Sequence, residues 1–181
     1  GRNATGGVIQ ITTRTPEYEL SGAASATYAN YDHPSGTFYL TGGITDNVAA
    51  DIALLADRQG DGWGTSLGTG EDVYKRSIYS ARSKWLLDLS DATELIFSMD
   101  VSRVWGDAGA AISPAKGVQI WDIGTNTQLN IPGFYDTAQD TASNHLTVDY
   151  GASMKLTSDL DWARITSITA YRTYHTDMNV D

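Results

Sequence analysis

The stretch HLTVDYGASMKL, residues 145–156, alternates between polar and apolar side chains over its whole length. Successive side chains of a β-strand point to opposite faces, so the alternation predicts a strand with one polar and one apolar face. The stretch is about twice as long as an average strand of five or six residues. It therefore predicts a long, two-faced strand as the repeating unit of the fold.

The same period of two recurs on both sides of this stretch. The other segments are residues 20–31, 37–45, 48–57, 79–88, 94–101 and 162–174. Together they predict about seven strands, and no segment shows the spacing of an amphipathic helix. The sequence therefore predicts an all-β chain.

The connections between these segments alternate between short and long. Residues 45–47, 89–92 and 157–160 are tight turns, residues 58–75 and 104–142 are long loops, and the modest link at 32–35 is the exception. Tight turns at one end and long loops at the other are typical of outer-membrane barrels. Aromatic residues near strand ends and charged residues in mid-strand also favour a transmembrane antiparallel β-barrel. A soluble β-sandwich shows the same alternation and remains the alternative.

Composition excludes several classes of protein. The 181 residues contain 12 Lys+Arg, 22 Asp+Glu and no cysteine, for a formal net charge of −10. The lack of cysteine excludes disulfide frameworks, thiolate metal sites and cysteine nucleophiles. The acidic balance argues against nucleic acid as a partner, because phosphate binding rests on Lys and Arg.

The first residues, GRNATGGVIQITTRTP, break the alternating pattern. Two glycines allow a tight turn, and residues 8–13 follow as a β-branched strand that ends before Pro16. The segment resembles the end of the plug domain of TonB-dependent outer-membrane receptors. The matching positions are Gly1, Arg2, Asn3, Ala4, Gly6, Gly7, Ile9, Ile11, Thr13 and Pro16. Gln10 and Arg14 depart from the Asn and Lys that are commoner in that motif.

The resemblance implies a plugged barrel of about 22 strands in the bacterial cell outer membrane. Residues 1–16 would be the C-terminal end of the plug and residues 17–181 the N-terminal part of the barrel, so the chain is expected to be a fragment. The implied function is active uptake of a scarce nutrient, most often a ferric siderophore, without enzymatic chemistry or a cofactor. The implied partners are TonB, the nutrient and outer-membrane lipid. Arg2, Asn3, Gly6 and Gly7 would form the hinge between plug and barrel.

The two long loops carry the candidate ligand-binding residues. These are Trp63, Trp105, Trp121, Asp122, Phe134 and Tyr135. Aromatic faces with a few polar groups suit an iron chelate, a sugar or another flat ligand. The alternative is that these aromatic side chains only pack the loops against their neighbours.

Metal and catalytic sites are not expected. The glycine-rich acidic loop at residues 59–72 lacks the spacing of a regular calcium loop. The three histidines form no H-x-x-x-H pair, and His175 with Asp177 is the nearest approach to a ligand pair. Two other functions remain open, namely a passive porin-like or adhesin-like barrel and a soluble β-sandwich that binds carbohydrate.

Overall fold

Seven long strands form one antiparallel sheet in chain order. The computed structural model describes residues 12–107, 119–122, 124–130, 133–137 and 141–179. The seven strands are β1 (Ser21–Ala29), β2 (His33–Thr45), β3 (Val48–Arg58), β6 (Arg76–Ser90), β7 (Thr93–Gly106), β10 (Asn144–Leu160) and β11 (Ala163–Asn179). Four short strands lie in the long connections: β4 (Gly64–Thr65), β5 (Asp72–Val73), β8 (Gln119–Asp122) and β9 (Thr127–Asn130).

The prediction of an all-β chain with seven strands is confirmed. Strand accounts for 72% of the described residues, and the sheet has the order β1-β2-β3-β6-β7-β10-β11. The sheet does not close into a barrel, so β1 and β11 each keep one edge without a partner strand in the described part of the chain. The described residues contain no helix with the length and hydropathy needed to cross a membrane.

The strand register assembles the alternating residues into two continuous faces, because directly opposed residues of antiparallel strands share a face. One row across the polar face is Thr41, Asp51, Lys84, Ser98 and Ser153. A row across the apolar face is Phe38, Leu54, Ala81, Val101 and Tyr150. The alternation in the sequence therefore corresponds to two chemically different sides of one sheet.

The apolar face is not covered by the described chain. Phe38 and Leu54 are each 41% exposed and Tyr150 is 52% exposed, although such side chains usually form the core of a soluble sheet. The buried hydrophobic residues of the described chain are Ala49, Val73 and Leu86, and both Ala49 and Leu86 lie on the polar face. Burial is therefore concentrated on the side of the sheet opposite to the apolar face.

The segment that precedes β1 explains this burial. The Lys84 ammonium group donates to the carbonyl oxygens of Thr13 and Arg14, at 3.1 and 2.8 Å. The Glu17 amide donates to Thr41 Oγ1 at 2.9 Å, and the Thr41 hydroxyl donates to the carbonyl oxygen of Ala50 at 3.2 Å. Lys84 and Thr41 lie on the polar face, so residues 12–17 run over that face before the chain enters β1.

The two ends of the sheet differ in their connections. Two-residue turns at 46–47, 91–92 and 161–162 lie at one end, and the links 30–32, 59–75 and 107–143 lie at the other. We call these the turn end and the loop end. The predicted asymmetry is confirmed, although some turn and loop boundaries differ from those that the sequence predicts.

The third tight turn lies at 161–162 and not at 157–160. Polar residues suggested a turn there, but Thr157 and Ser158 pair with Glu94 and Thr93, and the Ser158 and Thr93 hydroxyl groups lie 3.0 Å apart. Cross-strand pairing thus extends β10 to Leu160. Similarly, the sequence predicts Trp105 in the long loop, but it pairs with Ser77 and Leu146 within the sheet.

Replacement of Thr41 by valine should loosen the segment on the polar face. Valine keeps the shape of threonine but leaves the Glu17 amide without its acceptor, and a hydrogen bond of this kind contributes about 0.5–1.5 kcal/mol. We expect the Glu17 amide to exchange its hydrogen about two- to tenfold faster in Thr41→Val, measured by hydrogen–deuterium exchange.

Thr37→Val is the matched control, because Thr37 lies on the same face of β2 but its hydroxyl contacts the exposed Ser25 hydroxyl. Equal exchange at Glu17 in both variants would contradict the assigned role of Thr41.

Candidate ligand-binding site at the loop end

Five aromatic rings meet at the loop end of the sheet. Trp63 lies 6.2 Å from the Tyr74 ring in a stacked arrangement, 6.2 Å from Tyr135 and 6.4 Å from Tyr31. Tyr135 also contacts Tyr74 at 6.2 Å and Phe134 at 5.0 Å, both edge to face. Such contacts each add about 0.5–1.5 kcal/mol beyond the burial of area. We call these five residues the aromatic cluster.

Backbone contacts between the two long links bring the cluster together. The Thr137 amide donates to the carbonyl oxygen of Thr65 at 3.0 Å, and the Leu67 amide donates to the carbonyl oxygen of Thr137 at 2.8 Å. Gly64 is required for this approach, because a Cβ at this position would lie 2.1 Å from the carbonyl oxygen of Tyr135. These contacts join the link 59–75 to the link 107–143.

Two cluster residues depend on unusual backbone conformations. Tyr31 and Tyr74 have φ angles of 68° and 72°, in the left-handed region that non-glycine residues rarely adopt. Tyr31 lies in the turn between β1 and β2, and Tyr74 lies between β5 and β6. Strain of this kind persists only where the surroundings determine it, and here the ring contacts with Trp63 provide those surroundings.

A cavity of about 720 Å³ opens beside the cluster, and Tyr31, Trp63 and Tyr74 form its aromatic wall. Its polar lining consists of Asn30, His33, Gln59, Lys75, Arg76, Asp107 and His145. Arg76 and His145 lie in one row of the polar face, on either side of Gly106. The cavity thus joins the end of the polar face to the aromatic side chains of the loops.

One side chain of the cavity lining is already paired within the protein. His33 Nε2 lies 3.1 Å from Asp57 Oδ2, which ties the start of β2 to the end of β3. The Arg76 guanidinium group is 4.0 Å from the same carboxylate and is 59% exposed. The Nδ1 atom of His145 is buried and has no hydrogen-bond partner in the described structure. Arg76 and His145 therefore each retain capacity for a further hydrogen bond.

Asp107 lies where β7 ends and connects it to β6. Its Oδ1 accepts a 2.7 Å hydrogen bond from the Lys75 amide, whereas its Oδ2 is buried and has no partner in the described structure. Burial raises the pKa of the Asp107 carboxyl to about 6, against the smaller opposing effects of the Lys75 amide and the Lys75 charge. This carboxyl is partly protonated close to neutral pH.

Chemically, the arrangement suits binding by stacking and by charge. The ring faces can pack against a flat or apolar group, and cationic Lys75 and Arg76 can pair with an anionic group. The described residues contain no group of three or more His, Asp or Glu side chains able to hold a metal ion. His175 and Asp177 contact each other at 3.1 Å on the exposed end of β11.

The structure brings together half of the six ligand-binding residues predicted from the sequence. Trp63, Phe134 and Tyr135 belong to the aromatic cluster. Trp105 lies on the apolar face of β7, and Trp121 lies on the β8–β9 hairpin, 57% exposed, without a ring contact to the cluster in the described part of the chain. The side chain of Asp122 is outside the described structure, as are the predicted hinge residues Arg2, Asn3, Gly6 and Gly7.

Sequence reasoning missed Tyr31, Tyr74 and the polar lining of the cavity. His33, Arg76 and His145 are separated by long stretches of chain, and strand pairing alone brings them to one rim. A usable signal was their common position at the loop-end termini of strands β2, β6 and β10. No protein-family model, curated protein or solved structure matches this chain.

The Asp107 carboxyl should make stability depend on pH. Its folded pKa of about 6 lies above the ordinary value of 3.8, so the folded state holds the proton more tightly than the unfolded chain. This contribution is present below pH 3.8 and is lost as the pH rises through about 6. Asp107→Asn should therefore show a smaller fall in melting temperature between pH 4 and 7 than the wild type, measured by tryptophan fluorescence.

Asp61→Asn provides the control, because Asp61 is an exposed carboxyl in the same loop region. It should retain the wild-type dependence on pH. If Asp107→Asn also retains it, the carboxyl does not titrate as described.

Proposed function

We propose that the chain forms part of the wall of a plugged outer-membrane β-barrel that takes up a scarce nutrient, a ferric siderophore, with energy supplied through TonB. One observation carries this proposal. The N-terminal segment lies on the polar face of the sheet, whereas the apolar face stays exposed. A plugged barrel requires this arrangement, with lipid outside and the plug inside.

Contact with lipid would account for the exposed apolar face, since no second layer of protein would then be needed to cover it. In water, a row such as Phe38, Leu54 and Val101 would have to be covered by a second layer. In a membrane the same side chains meet hydrocarbon. The seven strands are 9 to 17 residues long, against the 9–11 or so that a tilted strand needs to cross a bilayer. The longest strands could thus extend beyond the membrane at the loop end.

The two rival functions fit this arrangement less well. A β-sandwich would place its second layer on the apolar face, but the described segment of residues 12–17 lies on the polar face. A passive porin would leave its polar face to water, but Lys84 and Thr41 are engaged by that same segment. The plug-like resemblance of the first 16 residues agrees with the position of the segment.

The cavity at the loop end would serve as a capture site in such a receptor. The cavity lies at the loop end of the sheet, and the loop end of a barrel of this kind is extracellular. Its aromatic wall and its cationic groups would hold a flat or anionic nutrient without altering it. TonB would act through a plug, so its contacts belong to a region other than the described sheet.

A charge on the apolar face should block assembly in the membrane. Leu54 lies on the apolar face in the middle of β3, and an arginine at the mid-plane of a barrel costs about 2–4 kcal/mol. We expect Leu54→Arg to lower the amount of folded protein in the outer membrane, measured as the heat-modifiable band in gel electrophoresis.

Leu55→Arg is the matched control, since the neighbouring side chain lies on the polar face. It should assemble nearly as well as the wild type. Equal tolerance of both arginines would contradict a lipid-facing role for the apolar face.

Uptake by intact cells tests the nutrient. A strain that lacks the protein should take up less radiolabelled iron under iron limitation than its parent, and the protein should fractionate with the outer membrane. Recovery in the soluble fraction would overturn the proposed barrel. Outer-membrane location with unchanged iron uptake would instead exclude the siderophore and favour cobalamin or a sugar as the nutrient.

A further inference from the structure

Two arginines interrupt the apolar face at its loop end. Arg58 is the last residue of β3, and Arg103 lies three residues before the end of β7. By register, Arg58 pairs with Ser77, and Arg103 pairs with Tyr79. On the apolar face of six described strands, Arg58 and Arg103 are the residues that carry a charged side chain. These strands are β1, β2, β3, β6, β7 and β10.

Both arginines are exposed, and neither makes an ion pair or a side-chain hydrogen bond with the described residues. This is notable in a chain with 22 acidic and 12 basic residues, where a cation is expected to find a carboxylate. By contrast, the turns at the opposite end carry the carboxylates of Asp46, Asp91 and Asp161. From β1 to β10 the apolar face is thus cationic at its loop end and bordered by acidic residues at the turn end, whereas β11 places Asp177 at the loop end of the same face.

Two grooves on the apolar face lead to these arginines. One groove, of about 580 Å³, is lined by Phe38, Leu54, Val101 and Arg103 among others. The second, of about 450 Å³, has Tyr28, Pro34 and Arg58 in its lining. Gly36, Ala56 and Tyr79 line both grooves. Gly36 and Ala56 are small and therefore leave room for both grooves, and Tyr79 lies at the boundary between them.

We propose that this surface binds a membrane lipid whose phosphate headgroup carries a net negative charge. The phosphate contacts Arg58 and Arg103, and the acyl chains lie in the two grooves beside Tyr79. Charge complementarity supports a lipid, because cations at the end of an apolar surface match a molecule with an anionic head and apolar tails. Arginine also pairs with phosphate through two hydrogen bonds.

The position on the sheet agrees with this occupant. In a barrel, the boundary between the apolar band and the loops lies at the level of the lipid headgroups, where aromatic residues are also enriched. Tyr28 and Trp105 lie at this level near the arginines. The inference rests on the proposed outer-membrane location but is independent of the transported nutrient.

Native mass spectrometry of the natural protein in mild detergent tests the inference. The probes are phosphatidylglycerol, which carries a net negative charge, and phosphatidylcholine, whose choline cancels the phosphate charge. We expect the wild type to retain phosphatidylglycerol in preference to phosphatidylcholine. Arg58→Gln with Arg103→Gln should weaken that binding by about twenty-five-fold, or roughly fivefold for each arginine near an anionic lipid.

Arg164→Gln is the matched control, because Arg164 lies at the turn end and pairs with Asp159. It should bind phosphatidylglycerol as the wild type does, and Arg58→Lys with Arg103→Lys should keep most of the affinity. Equal binding by the wild type and the double glutamine variant would overturn the lipid site. Full competition by millimolar inorganic phosphate would overturn it as well, because the acyl grooves would then contribute nothing.

These outcomes can be separated from a failure of the proposed function. A protein found in the outer membrane that shows no preference between the two lipids refutes the lipid site alone. A protein found in the soluble fraction refutes the barrel. Folding of each variant is checked by the heat-modifiable band before lipid is added.

Discussion

The exposed apolar face is the constraint on which the rest of the structure depends. Burying apolar area is the main favourable term in folding, at about 25 cal/mol for each Å² removed from water. Here the described chain leaves Phe38, Leu54 and Tyr150 between 41% and 52% exposed and places its own covering segment on the other side. A sheet of this kind needs an apolar environment supplied from outside the described chain. This requirement connects strand length, the distribution of aromatic residues and the proposed location.

Several charged side chains of the polar face are paired within the described chain. Charged side chains in a sheet are costly unless water or a partner satisfies them. Lys84 is held by two carbonyl oxygens, and Arg172 forms ion pairs with both Asp100 and Asp149. The N-terminal segment thus supplies acceptors to the sheet, and the sheet supplies donors and acceptors to the segment. An interface held by such polar contacts is easier to separate than an apolar core.

Several features of the fold could be predicted because they depend on neighbours in the sequence. The alternation in residues 145–156 follows from the two-residue period of a strand, and the register then confirmed both faces. The turn at 46–47 could be predicted because the alternating segments 37–45 and 48–57 end on either side of it. The third turn could not be placed, since Thr157 and Ser158 suit a turn or a strand equally well and only pairing with Glu94 and Thr93 decides between them.

The sequence by itself determined the secondary structure, the chemical character of each face and the difference between the two ends of the sheet. These properties depend on residue period and loop length, which are local. Only the tertiary structure decided which side the N-terminal segment covers and which side chains share the cavity. Arg76 and His145 meet through strand pairing, and Trp63 meets Tyr135 through contacts between two loops. Such contacts join residues about 70 positions apart, and no local pattern in the chain encodes them.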